Sequence, residues 1–264
     1  MTSRELAVAM AAARDAGAML RSELGRARRI DFKGSPTNLV TEMDGRAEAL
    51  IVERLLGAFP DDAVLAEERG AVPGRSGRRW IIDPLDGTTN YAHGVPTFGV
   101  SIGLHVDDRI VLGVVHDPNQ GETFVAERGG GAFVNGLPLA VSTTASVNES
   151  LLCTGFPHDI RASRRNNLAE YAAFSLKAQG VRRMGSAVIY LAYVAAGRLD
   201  GYWELRLGPW DVAAGALLVE EAGGRVTDLT GGPIDLDAPA IVASNGRIHE
   251  EMLEVLQTVR DGRA

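Results

Sequence analysis

An apolar run, Trp80-Ile81-Ile82, empties directly into Asp83-Pro84-Leu85-Asp86-Gly87-Thr88-Thr89-Asn90, and no other stretch constrains this chain as strongly. Trp80 to Asp83 reads as a strand. Pro84 fixes its own φ and carries no N–H, so Asp83 and Asp86 are presented by a stiff turn and not by a slack loop. Gly87 lets the backbone approach a ligand closely, and the N–H groups after it can open an anion-binding helix start. Two acids, a glycine and two hydroxyls at a strand end can hold a metal and a phosphate. The same residue types also build ordinary turns, so the rest of the chain has to decide between the two readings.

The 264 residues suffice for a substantial core, as one large domain or as two halves sharing an interface. Hydrophobic residues at 45% and charged residues at 23% exclude a mainly disordered chain, and the net charge of -7 argues against nucleic-acid binding through overall charge. Cys153 is the only cysteine, so no internal disulfide forms, and its place in Leu151-Leu152-Cys153 suits a buried thiol. No apolar stretch reaches the ~18 residues of a membrane span, and no signal-like segment opens the chain. The expected location is the cytoplasm. Lys33 and Lys177 are the only lysines, and Lys33 lies in the turn-like Lys33-Gly34-Ser35-Pro36.

Leu6, Met10, Ala13, Gly17, Leu20 and Leu24 recur at helical spacing, and a second helix is expected from Thr41, with Leu50, Ile51 and Leu55 inward. Short β-rich runs follow at Val64 to Ala66, Trp80 to Asp83, Phe98 to His105, Ile110 to His116 and Thr123 to Ala126. After about residue 150 strands and helices alternate. Strands are expected at Leu151 to Thr154, Leu199 to Glu204, Arg225 to Asp228 and Ile241 to Ala243. Helices are expected at Arg164 to Ala178, Ala187 to Ala196, Val212 to Ala222 and Ile248 to Val259. The pattern is α+β, with an antiparallel half over 1–145 and an α/β half over 146–264 in one compact unit.

Two more acids stand at a strand end in Ala66-Glu67-Glu68, and Trp210-Asp211 opens a helix rich in small residues. If these ends converge, Glu67, Asp83, Asp86 and Asp211 form a cluster whose repulsion requires cations, and all-oxygen ligation suits Mg²⁺ or Mn²⁺ but not zinc. Each acid has a plainer reading. Glu68 fits a solvated surface acid, Asp211 fits the N-cap of its helix, and Asp44 completes the capping box Thr41-Glu42-Met43-Asp44. The five histidines show no paired metal spacing and read as structural or surface residues.

The runs Asp83 to Thr88, Ala66-Glu67-Glu68, Trp210-Asp211-Val212-Ala213-Ala214-Gly215 and Glu220-Glu221-Ala222-Gly223-Gly224 together resemble the inositol monophosphatase family of Mg²⁺-dependent, lithium-sensitive phosphatases. The resemblance runs over essentially the whole chain and implies a layered αβαβα sandwich with its site between the two halves. It implies that Glu67, Asp83 and the Leu85 carbonyl hold one Mg²⁺, that Asp83, Asp86 and Asp211 hold a second, and that Glu67 helps with a weaker third. Thr88 paired with Asp44 would orient and deprotonate the attacking water, with Glu67 completing the catalytic group. The N–H groups of Gly87 and Thr88 would cradle the phosphate, Asp86 and Asp211 would also bind substrate, and Ala187, within Gly185-Ser186-Ala187, and Glu204 would meet its alcohol side. Lys33 matches a mobile-loop lysine near the site.

The activity so implied is hydrolysis of myo-inositol 1-phosphate or a related polyol phosphate monoester. The alternatives within the resemblance are fructose 1,6-bisphosphate, histidinol phosphate and phosphoadenosine nucleotides. Tyr190, where relatives often carry an acid or amide, and Ala66, in place of a familiar glycine, leave the metal set intact but bear on substrate preference. Relatives are commonly homodimers. Some bacterial members also bind the transcription machinery, and Arg182-Arg183 is a basic pair compatible with a partner or dimer contact.

Overall fold

The structure is a computed structural model that describes residues 3–26, 30–32 and 39–262. Lys33 lies outside the described residues. The first half of the chain contains α1 (Arg4–Glu23), β1 (Ile30–Phe32), β2 (Leu39–Thr41), α2 (Glu42–Ala58), β3 (Ala63–Ala66), β4 (Gly70–Val72), β5 (Arg78–Asp86), α3 (Thr88–Ala92), β6 (Gly99–Val106), β7 (Arg109–Asp117), β8 (Glu122–Glu127), β9 (Gly131–Val134) and β10 (Leu137–Pro138). It continues with β11 (Leu151–Thr154), α4 (Leu168–Ser175), β12 (Gly180–Arg182), α5 (Ala187–Ala195), β13 (Gly201–Glu204), α6 (Pro209–Glu221), β14 (Arg225–Thr227), β15 (Ile241–Ser244) and α7 (His249–Arg260).

Among the described residues β1 and β2 pair antiparallel with each other, and the other strands form two large sheets. The first runs β10-β9-β8-β7-β6-β5-β3-β4 and is antiparallel except where β3 lies parallel to β5. The second runs β12-β11-β13-β15-β14, with β11 parallel to both neighbours and the remaining pairs antiparallel, so it is mixed. Helices α1 and α2 cover the outer face of the first sheet, α5 and α6 fill the space between the sheets, and α4 and α7 cover the far face of the second. Three apolar clusters correspond to these interfaces, centred on Leu20, Ile51 and Trp80, on Leu191, Leu217 and Val219, and on Phe174, Trp203 and Met252. This is the expected αβαβα sandwich.

Three local departures from the sequence expectation have physical causes. The helix expected from Arg164 starts only at Leu168, because Asn167 is held at φ +68° by buried bonds to Thr154 and Gly155 and by the Trp203 indole. The helix expected from Val212 starts earlier, at Pro209, whose fixed φ suits a first helical turn. Strand β5 does not stop at Asp83 but pairs with β6 through Asp86, across a bulge. No helix among the described residues is long and apolar enough to cross a membrane.

Candidate active site

The bulge in β5 brings its two acids together. Asp83 pairs with Ser101 and Asp86 with Gly99, so Pro84 and Leu85 together oppose only Val100. In a regular strand, residues three apart face opposite sides of the sheet; one extra residue restores a common side. The bulge also accommodates Pro84, which has no N–H to give a ladder. The start of α6 contributes the third acid, and carboxylate oxygens of Asp83, Asp86 and Asp211 lie within 4.8 Å of one another.

Each of these carboxylates is tied to backbone. Asp83 accepts the Leu85 N–H at 3.0 Å, Asp211 accepts the Gly208 N–H at 2.6 Å, and Asp86 accepts the Ser186 hydroxyl at 2.6 Å and the Val188 N–H at 2.8 Å. Burial, reinforced by the neighbouring acids, pushes Asp83 and Asp211 well above the usual carboxylate range, and burial pushes Asp86 up to about 6. Three converging oxygen donors that resist carrying their charges together fit a hard divalent cation such as Mg²⁺ or Mn²⁺. The N-cap reading of Asp211 is corrected: Gly208 is the N-cap, and Asp211 lies in the first turn, its carboxylate turned back on the Gly208 N–H.

Glu67 follows β3, its N–H bonded to the Ile82 carbonyl at 3.3 Å, and it lines the same cavity. Its charge acts on Asp44, Asp83, Asp86 and Asp211. The turn that carries it is fixed by Glu48, a buried acid on α2 that accepts the Glu68 N–H at 2.8 Å and the Arg69 guanidinium at 2.8 Å. Glu48 was not singled out in the sequence, since its partners lie about twenty residues away and an acid on a helix normally faces solvent.

One turn before Glu48 on α2, Asp44 does two jobs. One carboxylate oxygen closes the capping box, accepting the Thr41 N–H at 2.8 Å and the Thr41 hydroxyl at 2.6 Å. The other accepts from the Thr88 hydroxyl at 3.0 Å. The cap reading and the proximity to Thr88 therefore coexist. The Leu85 carbonyl is a second acceptor for the same hydroxyl proton, at 3.1 Å. Thr88 begins α3 behind Gly87, whose φ of +97° is a conformation side chains rarely adopt.

The cavity, about 530 Å³, extends from the acids to Gly155, Ala187, Tyr190 and Glu204. Glu204 is buried, accepts the Tyr202 hydroxyl at 2.7 Å and is pushed up to about 8 by desolvation. A Cβ on Gly155 would lie 2.2 Å from a Glu204 carboxylate oxygen, so this position needs glycine for the acid to be seated. Of the expected site residues that are described, Asp44, Glu67, Asp83, Leu85, Asp86, Gly87, Thr88, Ala187, Glu204 and Asp211 all lie at this cavity or, for Asp44, directly behind Thr88. Phe156, His158 and Arg206 also line the cavity, signalled in the sequence only by the turn-rich Gly155-Phe156-Pro157-His158, and so does Asn90, the last residue of the opening motif. A larger depression between α1 and α2, about 760 Å³, is lined by Arg4, Leu50, Glu53 and Arg54 and, among the described residues, gathers no acidic cluster.

The inositol monophosphatase family pattern matches residues 1–261. An inositol-1-monophosphatase of Synechocystis sp. is 47% identical over 253 residues, covering 95% of this chain and 88% of the relative. The Nus factor SuhB of Pseudomonas aeruginosa is 45% identical over 261 residues, covering 96% and 95%. The solved structure of inositol monophosphatase from Anabaena (Nostoc) sp. PCC 7120 superposes with a TM-score of 0.87 at 42% identity, covering 96% of this chain and 95% of that one.

Proposed function

This chain belongs to the inositol monophosphatase family, and on that premise we propose that it hydrolyses myo-inositol 1-phosphate, or a closely related polyol phosphate, to the alcohol and inorganic phosphate. The observation that carries the reading is the convergence of Asp83, Asp86 and Asp211 within 4.8 Å, in the cavity where Thr88 is hydrogen-bonded to Asp44.

Asp83, Asp86 and Asp211, with Glu67 and the Leu85 carbonyl, would hold Mg²⁺, with Mn²⁺ as a substitute. When bound, the cation supplies positive charge that neutralises phosphoryl and leaving-group oxygens and lowers the pKa of water. Thr88 orients the attacking water through its hydroxyl, and Asp44 takes up the proton load through Thr88, held in place by Thr41. The N–H groups of Gly87 and Thr88 at the start of α3 receive phosphate oxygens, as N–H groups left unpaired at a helix start do. Glu204 and the Ala187 end of α5 meet the alcohol. Loss of one such buried partner costs about 1–3 kcal/mol, enough to separate a polyol from a less hydroxylated alcohol.

In this reading residues 1–145 supply all the ligands but Asp211, residues 146–264 supply the alcohol side, and the two halves work as one unit. The protein acts in the cytoplasm, as a homodimer, and is inhibited by Li⁺. The test is phosphate release by purified protein from inositol 1-phosphate, fructose 1,6-bisphosphate, histidinol phosphate and phosphoadenosine phosphate, each with Mg²⁺, with chelator and with added Li⁺. Preference for another substrate would keep the chemistry and replace the substrate.

The similarity to a Nus factor SuhB supports a second reading, in which this chain also binds the transcription machinery. The exposed pair Arg182 and Arg183 would then belong to the contact surface. Failure of the tagged protein to retain RNA polymerase subunits or transcription factors from its own host would remove that reading.

A further inference from the structure

The segment Met184-Gly185-Ser186 lines the cavity together with Asp86 and Glu204, and side chains from two elements grip its backbone. From α3, the Asn90 amide donates to the Met184 carbonyl at 2.6 Å and to the Thr97 carbonyl at 2.7 Å. From α5, the Tyr190 hydroxyl accepts both the Met184 N–H and, at 2.6 Å, the Gly185 N–H. Gly185 is at φ +85°, and its neighbour Ser186 caps α5 while giving its hydroxyl to Asp86. Tyr190 itself is 1% exposed, its ring beside that of Tyr202 at 5.3 Å, and Tyr202 is the residue that bonds Glu204.

We propose that Tyr190 is a positioning residue for substrate selection: its hydroxyl holds the Met184-Gly185-Ser186 wall in the shape that receives the alcohol part of a polyol phosphate. The proposal rests on the polyol phosphatase reading. Removing the oxygen alone leaves two neighbouring N–H groups without their acceptor, and the segment must move to find water. Asp86 keeps its bond from the Val188 N–H at 2.8 Å, so the phosphate end of the cavity stays in place while the alcohol end loses its shape. The consequence is a selective one: substrates whose alcohol is read by this wall suffer, and substrates recognised only through their phosphate do not.

The test is Tyr190→Phe, which keeps the ring against Tyr202, assayed on myo-inositol 1-phosphate and on p-nitrophenyl phosphate. The expected result is a KM for inositol 1-phosphate raised by about fivefold or more with kcat little changed, and both constants for the aryl ester within about twofold of the parent. Hydrogen exchange over residues 183–187 should accelerate by about tenfold, with α6 unchanged. Asn90→Ala, which releases the segment from its other side, should reproduce the KM split and the exchange change even if the Phe variant is insoluble. An unchanged KM with unchanged exchange overturns the proposal, and so does an equal loss on both substrates. Should the parent protein turn over the aryl ester but not inositol 1-phosphate, the polyol reading fails by itself; unchanged exchange in both variants would then overturn the clamp as well.

Discussion

The Thr88 hydroxyl stands 3.0 Å from Asp44, an acid whose other oxygen is already committed to the Thr41 N–H and hydroxyl. Burial, with the charge of Glu67, raises Asp44 above the usual carboxylate range, and those bonds offset only part of the rise. In the mechanism proposed above the pair serves as a fixed proton acceptor reached through a hydroxyl. Thr88→Ala and Asp44→Asn should each lower kcat by about 10²–10⁴-fold, with Mg²⁺ binding retained. A variant that keeps parental kcat at saturating Mg²⁺ would remove that member from the proton path.

The acid cluster makes cation binding depend on pH. Asp83, Asp86 and Asp211 titrate above their unfolded values, Asp86 at about 6, so the metal-free fold binds extra protons and loses stability as pH rises through that range. A cation must displace those protons, so its affinity rises over the same window. The rise in melting temperature on adding Mg²⁺ should accordingly be small near pH 5 and large near pH 8. A Mg²⁺ effect of equal size at both pH values would contradict this account of the cluster.

Glu48 acts on the site without lining the cavity. Glu48→Gln leaves one of its donors, the Glu68 N–H or the Arg69 guanidinium, facing an amide N–H₂, and so loosens the turn that presents Glu67. Changes to groups that orient metal ligands commonly weaken binding by about 10–100-fold. Calorimetric titration with Mg²⁺ should show a loss near the lower end of that range, with the fold intact by circular dichroism.

His249 supplies a stability prediction away from the site. Its ring nitrogens bond Ser244 at 2.8 Å and Thr227 at 2.9 Å, and burial lowers its pKa to about 4. A histidine with a depressed folded pKa contributes fully above its unfolded value of about 6.5 and loses that contribution as pH falls toward the folded one, on the order of 3 kcal/mol at most. Urea unfolding of the parent and of His249→Gln at pH 7 and pH 5 isolates this effect. The difference between the two proteins should narrow at pH 5.

What the sequence displayed and what it concealed follow from the range of the interactions. Asp83, Asp86, Gly87 and Thr88 are adjacent in the chain and legible as a motif, as is the Thr41–Asp44 box. The convergence of Asp83 and Asp86 follows from the family resemblance, but the bulge that produces it, two residues opposing Val100, is not legible in the local sequence. The small residues after Val212 carry a plainer helical signal than the start of α6 itself, which Pro209 marks at the first turn. Arg164 to Asn166 read as helix because a single buried asparagine, Asn167, overrides their propensity through bonds to residues twelve and more positions away. The grip of Asn90 on Met184 spans 94 residues, and no local pattern encodes it.

The most direct test of the central claim is the rate of phosphate release from myo-inositol 1-phosphate by chelator-treated protein, before and after Mg²⁺ is restored, alongside Asp83→Asn. The account predicts negligible release without the cation, recovery on its addition, and little recovery in the variant at any Mg²⁺ concentration. Turnover that survives chelation, or an Asp83→Asn protein that recovers like the parent, would contradict it.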